Sequence, residues 1–291
     1  MRPITTLLLL LSTFPLYSQT APAVHRRTTV QSVSLSNDSI VSSENFQQVV
    51  RDIQNNVYIT RTESLIADIA RGTMHNHGYF KAEVDSVSTQ VLNETTKTRT
   101  IAVTLGIREG EQYRVSHITF AKDREFSEAQ LRQAFPVHDG DVMSNEKISE
   151  GVESIRKLFA TKGYMEGGAF PKEMAADDAS RTVAIIMDVH EGPQFTLLGL
   201  TLDEGPQEMV NGVMGKGRPW PTDKAAKLQA LSGPYQGTHN VGVFIEAVKQ
   251  TLGEMFPGCY LDSLVGTIQG GDPPHATINV IYPSPEDCQA N

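Results

Sequence analysis

Cysteine is nearly absent from this chain of 291 residues: there are two, Cys259 and Cys288, both near the C-terminus. A disulfide-built scaffold and a multi-cysteine metal centre are therefore excluded. An oxidising compartment would permit one bridge between the two, and a pair of free thiols fits the sequence as well. Basic charge is also scarce, with 25 Lys and Arg against 34 Asp and Glu and a formal net charge of -9. Phosphate binding wants a dense basic face, so no nucleic acid and no anionic membrane surface is expected as a partner. Gly at 23 and Pro at 15 stay below the levels of collagen or disorder, and 39% hydrophobic residues are enough for packed domains.

Long apolar runs are missing as well, with one exception at the start. Arg2 precedes Leu7 to Leu11, continued by Phe14 and Leu16, and small and polar residues follow from Ser18 to Ala23. The run falls short of the roughly 20 residues a spanning helix needs. It reads as a signal peptide covering residues 1–23, cleaved after Ala23 or alternatively near Ser18, and the chain is expected to be exported. No transmembrane barrel is expected after the last strand-like segment at Tyr282.

What the sequence does contain is a repeat with a period of roughly 82 to 95 residues. Gly78-Tyr79-Phe80, Gly163-Tyr164-Met165 and Gly258-Cys259-Tyr260 each follow an amphipathic run, where glycine suits the left-handed position beyond a helix end. Arg108-Glu109-Gly110 and His190-Glu191-Gly192 each close an alternating strand. The strands themselves place Ile101, Val103, Leu105 and Ile107 on one face, then Val183, Ile185, Met187 and Val189, then Ile278, Val280 and Tyr282. Opening strands match as Val33-Ser34-Leu35, Ile118-Thr119-Phe120 and Leu200-Thr201-Leu202, which lie 85 and then 82 residues apart.

Between these strands the pattern turns helical twice in each copy. In the second, Ser127 and Gln130 form a capping box with Phe126 stapled to Leu131, and Ser144 caps a helix with the stripe Ile148, Val152, Ile155, Phe159. The first copy predicts helices from about Glu44 to Gln54 and after a Thr60–Glu63 capping box; the third predicts Lys224 to Leu231 and a stripe from Phe244 to Met255. The fold class is therefore α+β: tandem β-α-α-β-β modules, each a three-stranded mixed sheet packed against two antiparallel helices. The modules span residues 24–110, 111–193 and 194–283, with a Gly/Pro-rich insertion at 205–221 in the third and a tail at 284–291. First and third strands should run parallel, the last two should form a hairpin, and the middle strand should be an open edge.

The succession Glu109-Gly110, Tyr113 to Phe120, Phe126 to Leu131, Gly140-Asp141, the helix to Phe159, Gly163-Tyr164 and Glu191-Gly192 resembles the polypeptide-transport-associated (POTRA) repeats. Those stand in front of the barrels of outer-membrane assembly and two-partner secretion proteins, the surface-antigen type. The resemblance runs from about residue 28 to 283, closest in the second module and weakest in the third. It implies a bacterial periplasmic array, associated with the outer membrane, that supports outer-membrane protein assembly or polypeptide export. Unfolded or nascent outer-membrane proteins are the implied partners, or else a separate barrel or assembly complex docked by a passive scaffold.

No cofactor, metal, small-molecule substrate or enzymatic activity is expected. His75 and His77 suit a helix end, and His117 and His190 lack companions for zinc. Asp177-Asp178 reads as a turn, and Gly215-Lys216-Gly217 fails as a phosphate loop because position 210 is Val210. Asn37-Asp38-Ser39 and Asn93-Glu94-Thr95 are formal glycosylation triplets without weight in a bacterial protein. Binding is instead expected along sheet edges, by addition of an extended client strand. The candidate edges are Lys81 to Val91, with Ala82, Val84, Val87, Thr89 and Val91 and a bulge near Ser86; Gly167 to Ala175, with Ala169 and Pro171; and Leu261 to Ile268, with Leu261 and Leu264. Trp220, the one tryptophan, suits either a partner anchor or a cover for the third sheet's end.

Overall fold

The computed structural model describes residues 26–121, 125–205, 209–210, 213–214, 217–284 and 287–288. The expected signal peptide and residues 206–208, 211–212 and 215–216 of the 205–221 insertion, with Gly215 and Lys216, lie outside these. Module 1 consists of β1 (Arg27–Leu35), α1 (Ser43–Gln54), α2 (Thr62–Asn76), β2 (Glu83–Glu94) and β3 (Thr98–Arg108). Module 2 repeats the order with β4 (Arg114–Ala121), α3 (Glu128–Ala134), α4 (Asn145–Thr161), β5 (Gly168–Asp177) and β6 (Thr182–His190). Module 3 has β7 (Thr196–Asp203), the two-residue strands β8 (Met209–Val210) and β9 (Val213–Met214), α5 (Thr222–Ser232), α6 (Val241–Met255), β10 (Val265–Gly270) and β11 (His275–Ile281).

Each sheet has its last strand in the middle: β1-β3-β2, β4-β6-β5 and β7-β11-β10. The central strand is parallel to the opening strand and antiparallel to its hairpin partner. Period-two alternation puts one face of that central strand under the helices, and three separate cores result. Leu105 and Ile107 of β3 meet Val49, Ile53, Ile66 and Met74; Ile185 and Met187 of β6 meet Leu131, Ile155 and Phe159; Ile278 and Val280 of β11 meet Leu228, Phe244, Val248 and Leu252. A fully buried side chain of this size contributes about 1.5–3 kcal/mol, so each stripe fixes which helix face turns inward.

The capping devices read from the sequence are present in module 2. Ser127 Oγ accepts from the Gln130 amide while Gln130 Oε1 accepts from the Ser127 amide at 2.9 Å, and Ser144 caps α4. Module 1 differs at its second helix. Thr60 and Glu63 form no capping box: Arg61 is the cap residue in a left-handed conformation (φ 51°) without a side-chain bond, and Glu63 accepts instead from Thr89 Oγ1 at 2.8 Å. A partner strand thus takes the carboxylate that the local spacing assigned to the helix end.

The modules are joined by a repeated device. Glu109 and Glu191 accept from the backbone amides of Ser42 and Glu125, which tie each central strand to the start of its own first helix. Gly110 and Gly192 then turn with positive φ, and the second and third residues after each reach back: Gln112 donates to His77 O and Gln194 to Lys162 O, both at 2.9 Å. Tyr113 N donates to Gly78 O at 2.8 Å, and Phe195 N to Gly163 O at 2.9 Å. Both aromatic side chains are buried. In the opposite direction Phe80 packs onto the core of module 2 and Met165 onto that of module 3. The repeated pattern Glu-Gly-x-Gln-aromatic, 82 residues apart, is the sequence signal for this junction. At the corresponding position of module 3 stands Tyr260, 68% exposed, whose amide donates to Asp287 O.

Candidate functional site

A three-stranded sheet has two edges, and the modules treat them differently. At the opening strand, the loop between the two helices comes back to pair with it. Thr28 and Tyr58 exchange backbone bonds of 2.6 and 2.9 Å; Val115 N donates to Asp141 O and accepts, through its carbonyl, from Gly140 N; Leu197 does the same with Thr238 O and Gly237 N. Each opening strand also shifts register at an equivalent place, skipping Gln31, Ser116 and Leu198. A bulge and a covering loop both blunt an edge against strand addition.

The middle strands are left open. Among the described residues, no backbone hydrogen bond runs from β2, β5 or β10 to anything beyond its hairpin partner. These edges differ in regularity. β2 is interrupted at Asp85 and again at Leu92, so the expected bulge lies next to Ser86, with six regular residues from Ser86 to Val91 between the two. β5 is interrupted between Pro171 and Glu173. β10 pairs from Val265 with Val280 to Gly270 with His275 without a shift.

The candidate residues fall into four groups. Val84, Val87 and Thr89 line the helix side of β2, half-buried, and Val91 is exposed. Ala82 and Ala169 are buried core residues, and Gly167 sits in a turn against the Phe159 ring, so these three hold the strand ends in place. Lys81 lies before β2, and its Nζ bonds Asp178 Oδ1 of module 2. Leu261 and Leu264 depart from the expected strand: Leu261–Ser263 form a 3-10 turn and Leu264 is buried, so the third edge begins at Val265. The cause is long-range. Tyr260 N is held by Asp287 O, Leu264 O takes the Ile281 amide at 2.9 Å, and Cys259 Sγ is joined to Cys288 Sγ.

Trp220 is half-buried at the end of sheet 3. Its Nε1 donates to Asp203 O at 2.8 Å, and its ring meets Tyr282 at 5.1 Å and Phe256 at 6.0 Å, both edge-on. By register Tyr282 stands where the earlier modules have Ile107 and Val189, so its ring with those of Trp220 and Phe256 closes the end of the third core. Asp177 makes the expected turn, accepting from Ala179 N and Ser180 Oγ. Asp178 does something the sequence did not reveal: it accepts from both Lys81 Nζ and Tyr113 OH, and these hydrogen bonds hold its carboxyl below the ordinary value. His190 is exposed, and His75 contacts Asn145 Nδ2 of module 2 at 3.3 Å. Among the described residues, no three His, Cys, Asp or Glu side chains converge in a metal-binding arrangement.

Two layers, a last-in-the-middle mixed sheet and an open hairpin edge, repeated in tandem, define a class of repeat fold, and comparison with known proteins names it. Residues 113–192 match the POTRA family model, "Surface antigen variable number repeat". The second module is a POTRA domain. The crystal structure of Haemophilus influenzae BamA POTRA3-5 superposes with a TM-score of 0.61 at 18% identity, covering 90% of this chain and 100% of that one, so all three modules have the POTRA fold. A candidate outer membrane protein assembly factor of Treponema pallidum (strain Nichols) is 27% identical over 115 residues. That match takes in 39% of this chain and 14% of the relative's length.

Proposed function

We propose that the chain is a protein-binding array of the bacterial periplasm that supports outer-membrane protein assembly or polypeptide export, and that it receives client segments by β-augmentation. One observation carries the reading: in all three modules the opening-strand edge is blunted by a bulge and a loop, while the hairpin edge finds no backbone partner among the described residues. Strand addition gives affinity through main-chain bonds and asks little of side-chain identity, which suits a protein handling varied unfolded clients. The similarity to an assembly factor supports the setting.

The test is an amide-shift titration of the labelled chain with peptides from unfolded outer-membrane proteins. Shifts along Ser86 to Val91, β5 or β10 are expected. Shifts confined to helix surfaces would overturn strand addition. They would favour a scaffold that docks a separate barrel or assembly complex, a reading to which the hydrogen-bonded junctions and the double interruption of β2 lend support.

A further inference from the structure

A groove of about 590 Å³ lies between α4 of module 2 and the α6–β10 face of module 3. Met165, Ile245 and Val265 supply an apolar, half-buried floor, and Thr267 carries the lining out along β10. The wall opposite β10 is α4. Gly242 at the start of α6 makes this possible: a Cβ there would stand 2.6 Å from the Ala160 backbone, so the helices touch at that point and diverge beyond it. The groove therefore belongs to neither module alone.

Three features point to one occupant. The floor ends in β10, whose open edge is the one free of register shifts. Gly266 and Gly270 flank the exposed Ile268 on the far face, which leaves the backbone accessible there. At the rim, Arg156 is paired with Glu153 and Lys249 with Asp262, whereas Lys157 makes no direct ion pair among the described residues. Glu246, the third carboxylate of the lining, lies 4.0 Å from Lys249, so the six charged residues balance and Lys157 is the cation among them without a direct partner among the described residues.

Resting on the strand-addition reading above, we infer that this composite groove is the preferred client site. It takes an extended segment that pairs with β10, places one apolar side chain between Met165 and Ile245, and sets a carboxylate against Lys157. The two modules then act as a clamp, with the sheet supplying hydrogen bonds and the preceding module's helix supplying the opposite wall.

The test uses the full mature chain, isotope-labelled, and two end-blocked ten-residue peptides of alternating Val and Thr, one with a single central Glu and the other with Lys in its place. Amide shifts should appear at Val265 to Gly270 and along Glu153 to Thr161 together. Lys157→Glu should weaken the Glu peptide and strengthen the Lys peptide by about threefold each, the scale of one rim ion pair. Shifts on β2 or β5 without β10 would overturn the groove and leave strand addition standing; no shift on any middle strand would overturn both. Shifts on β10 with an unchanged charge preference would overturn the carboxylate partner. Concentration-dependent shifts at β10 without peptide would assign the groove to a second copy of this chain, again overturning the proposal.

Discussion

Gly163→Ala should damage the joint between modules 2 and 3 more than its backbone strain alone explains, and Gly110→Ala provides the control. Both glycines hold positive φ, 82° and 76°, so alanine at either position costs about 1–2 kcal/mol in the left-handed region. Their surroundings differ. A Cβ on Gly110 meets nothing within 4 Å, whereas on Gly163 it stands 2.6 Å from Phe195 O and 2.8 Å from His239 O. Backbone oxygens cannot swing aside, so the joint must open, at a further cost of about 1–3 kcal/mol typical of overpacking. The gain from restricting the unfolded chain is shared by both variants and cancels in the comparison.

The assay is built into the protein. Trp220 is the single tryptophan and sits on the core of module 3, so its fluorescence in urea reports that module. With a slope of about 1–3 kcal/mol per M, Gly163→Ala should lower the Trp220 midpoint by about 1 M, while Gly110→Ala, at the other junction, should leave it nearly unchanged. If the two variants shift the Trp220 transition alike, the joint does not couple the modules in the way the Phe195–Gly163 bond suggests.

Three further outcomes follow from local chemistry. Ser127→Ala removes a cap from the seven-residue α3 and should cost about 1 kcal/mol, read from the far-ultraviolet urea transition; an unchanged midpoint would mean that Gln130 alone suffices. Burial, helped by the nearby Arg71 charge, depresses the His75 pKa below its ordinary 6.5, and the folded state favours neutral imidazole. Stability should therefore fall as pH drops through about 6.5 toward the folded value, and His75→Gln should remove that part of the slope; a slope unchanged in the variant would clear His75. Reducing Cys259–Cys288, which closes a loop of sequence separation 29, should cost about 2–4 kcal/mol on the chain-entropy view, again in the Trp220 signal. Two free thiols by mass spectrometry of the native protein would refute the bridge itself.

The architecture was largely legible because its determinants are local. The period, the stripes from Ile148 to Phe159 and from Phe244 to Met255, the Ser127–Gln130 box and the bulge beside Ser86 are all set by neighbours a few residues apart. The readings that failed each met a distant competitor. Glu63 was drawn from a local cap to Thr89 across the module. Leu261 to Leu264 gave up their extended conformation to contacts with Asp287 and Ile281. Asp178 does lie in a turn as read, but nothing within reach of it in the sequence announces its partner Lys81, 97 residues away. The open edges could be named because strand order follows from connection rules, whereas their blunted counterparts depend on how far a helix–helix loop folds back, which composition does not encode.

The placement of Phe80 and Met165 in the core of the following module gives the array a direction. Modules 1 and 2 each carry a plug that the next module covers, so the exposed surface created by shortening the chain depends on the end from which it is cut. Removing a module from the C-terminal side bares an aromatic or thioether side chain on what remains; removing one from the N-terminal side leaves a vacant socket. During synthesis from the N-terminus, module 1 emerges with Phe80 uncovered until module 2 has folded. Folding should accordingly propagate along the chain as in a one-dimensional lattice, with each unit stabilising the one made before it.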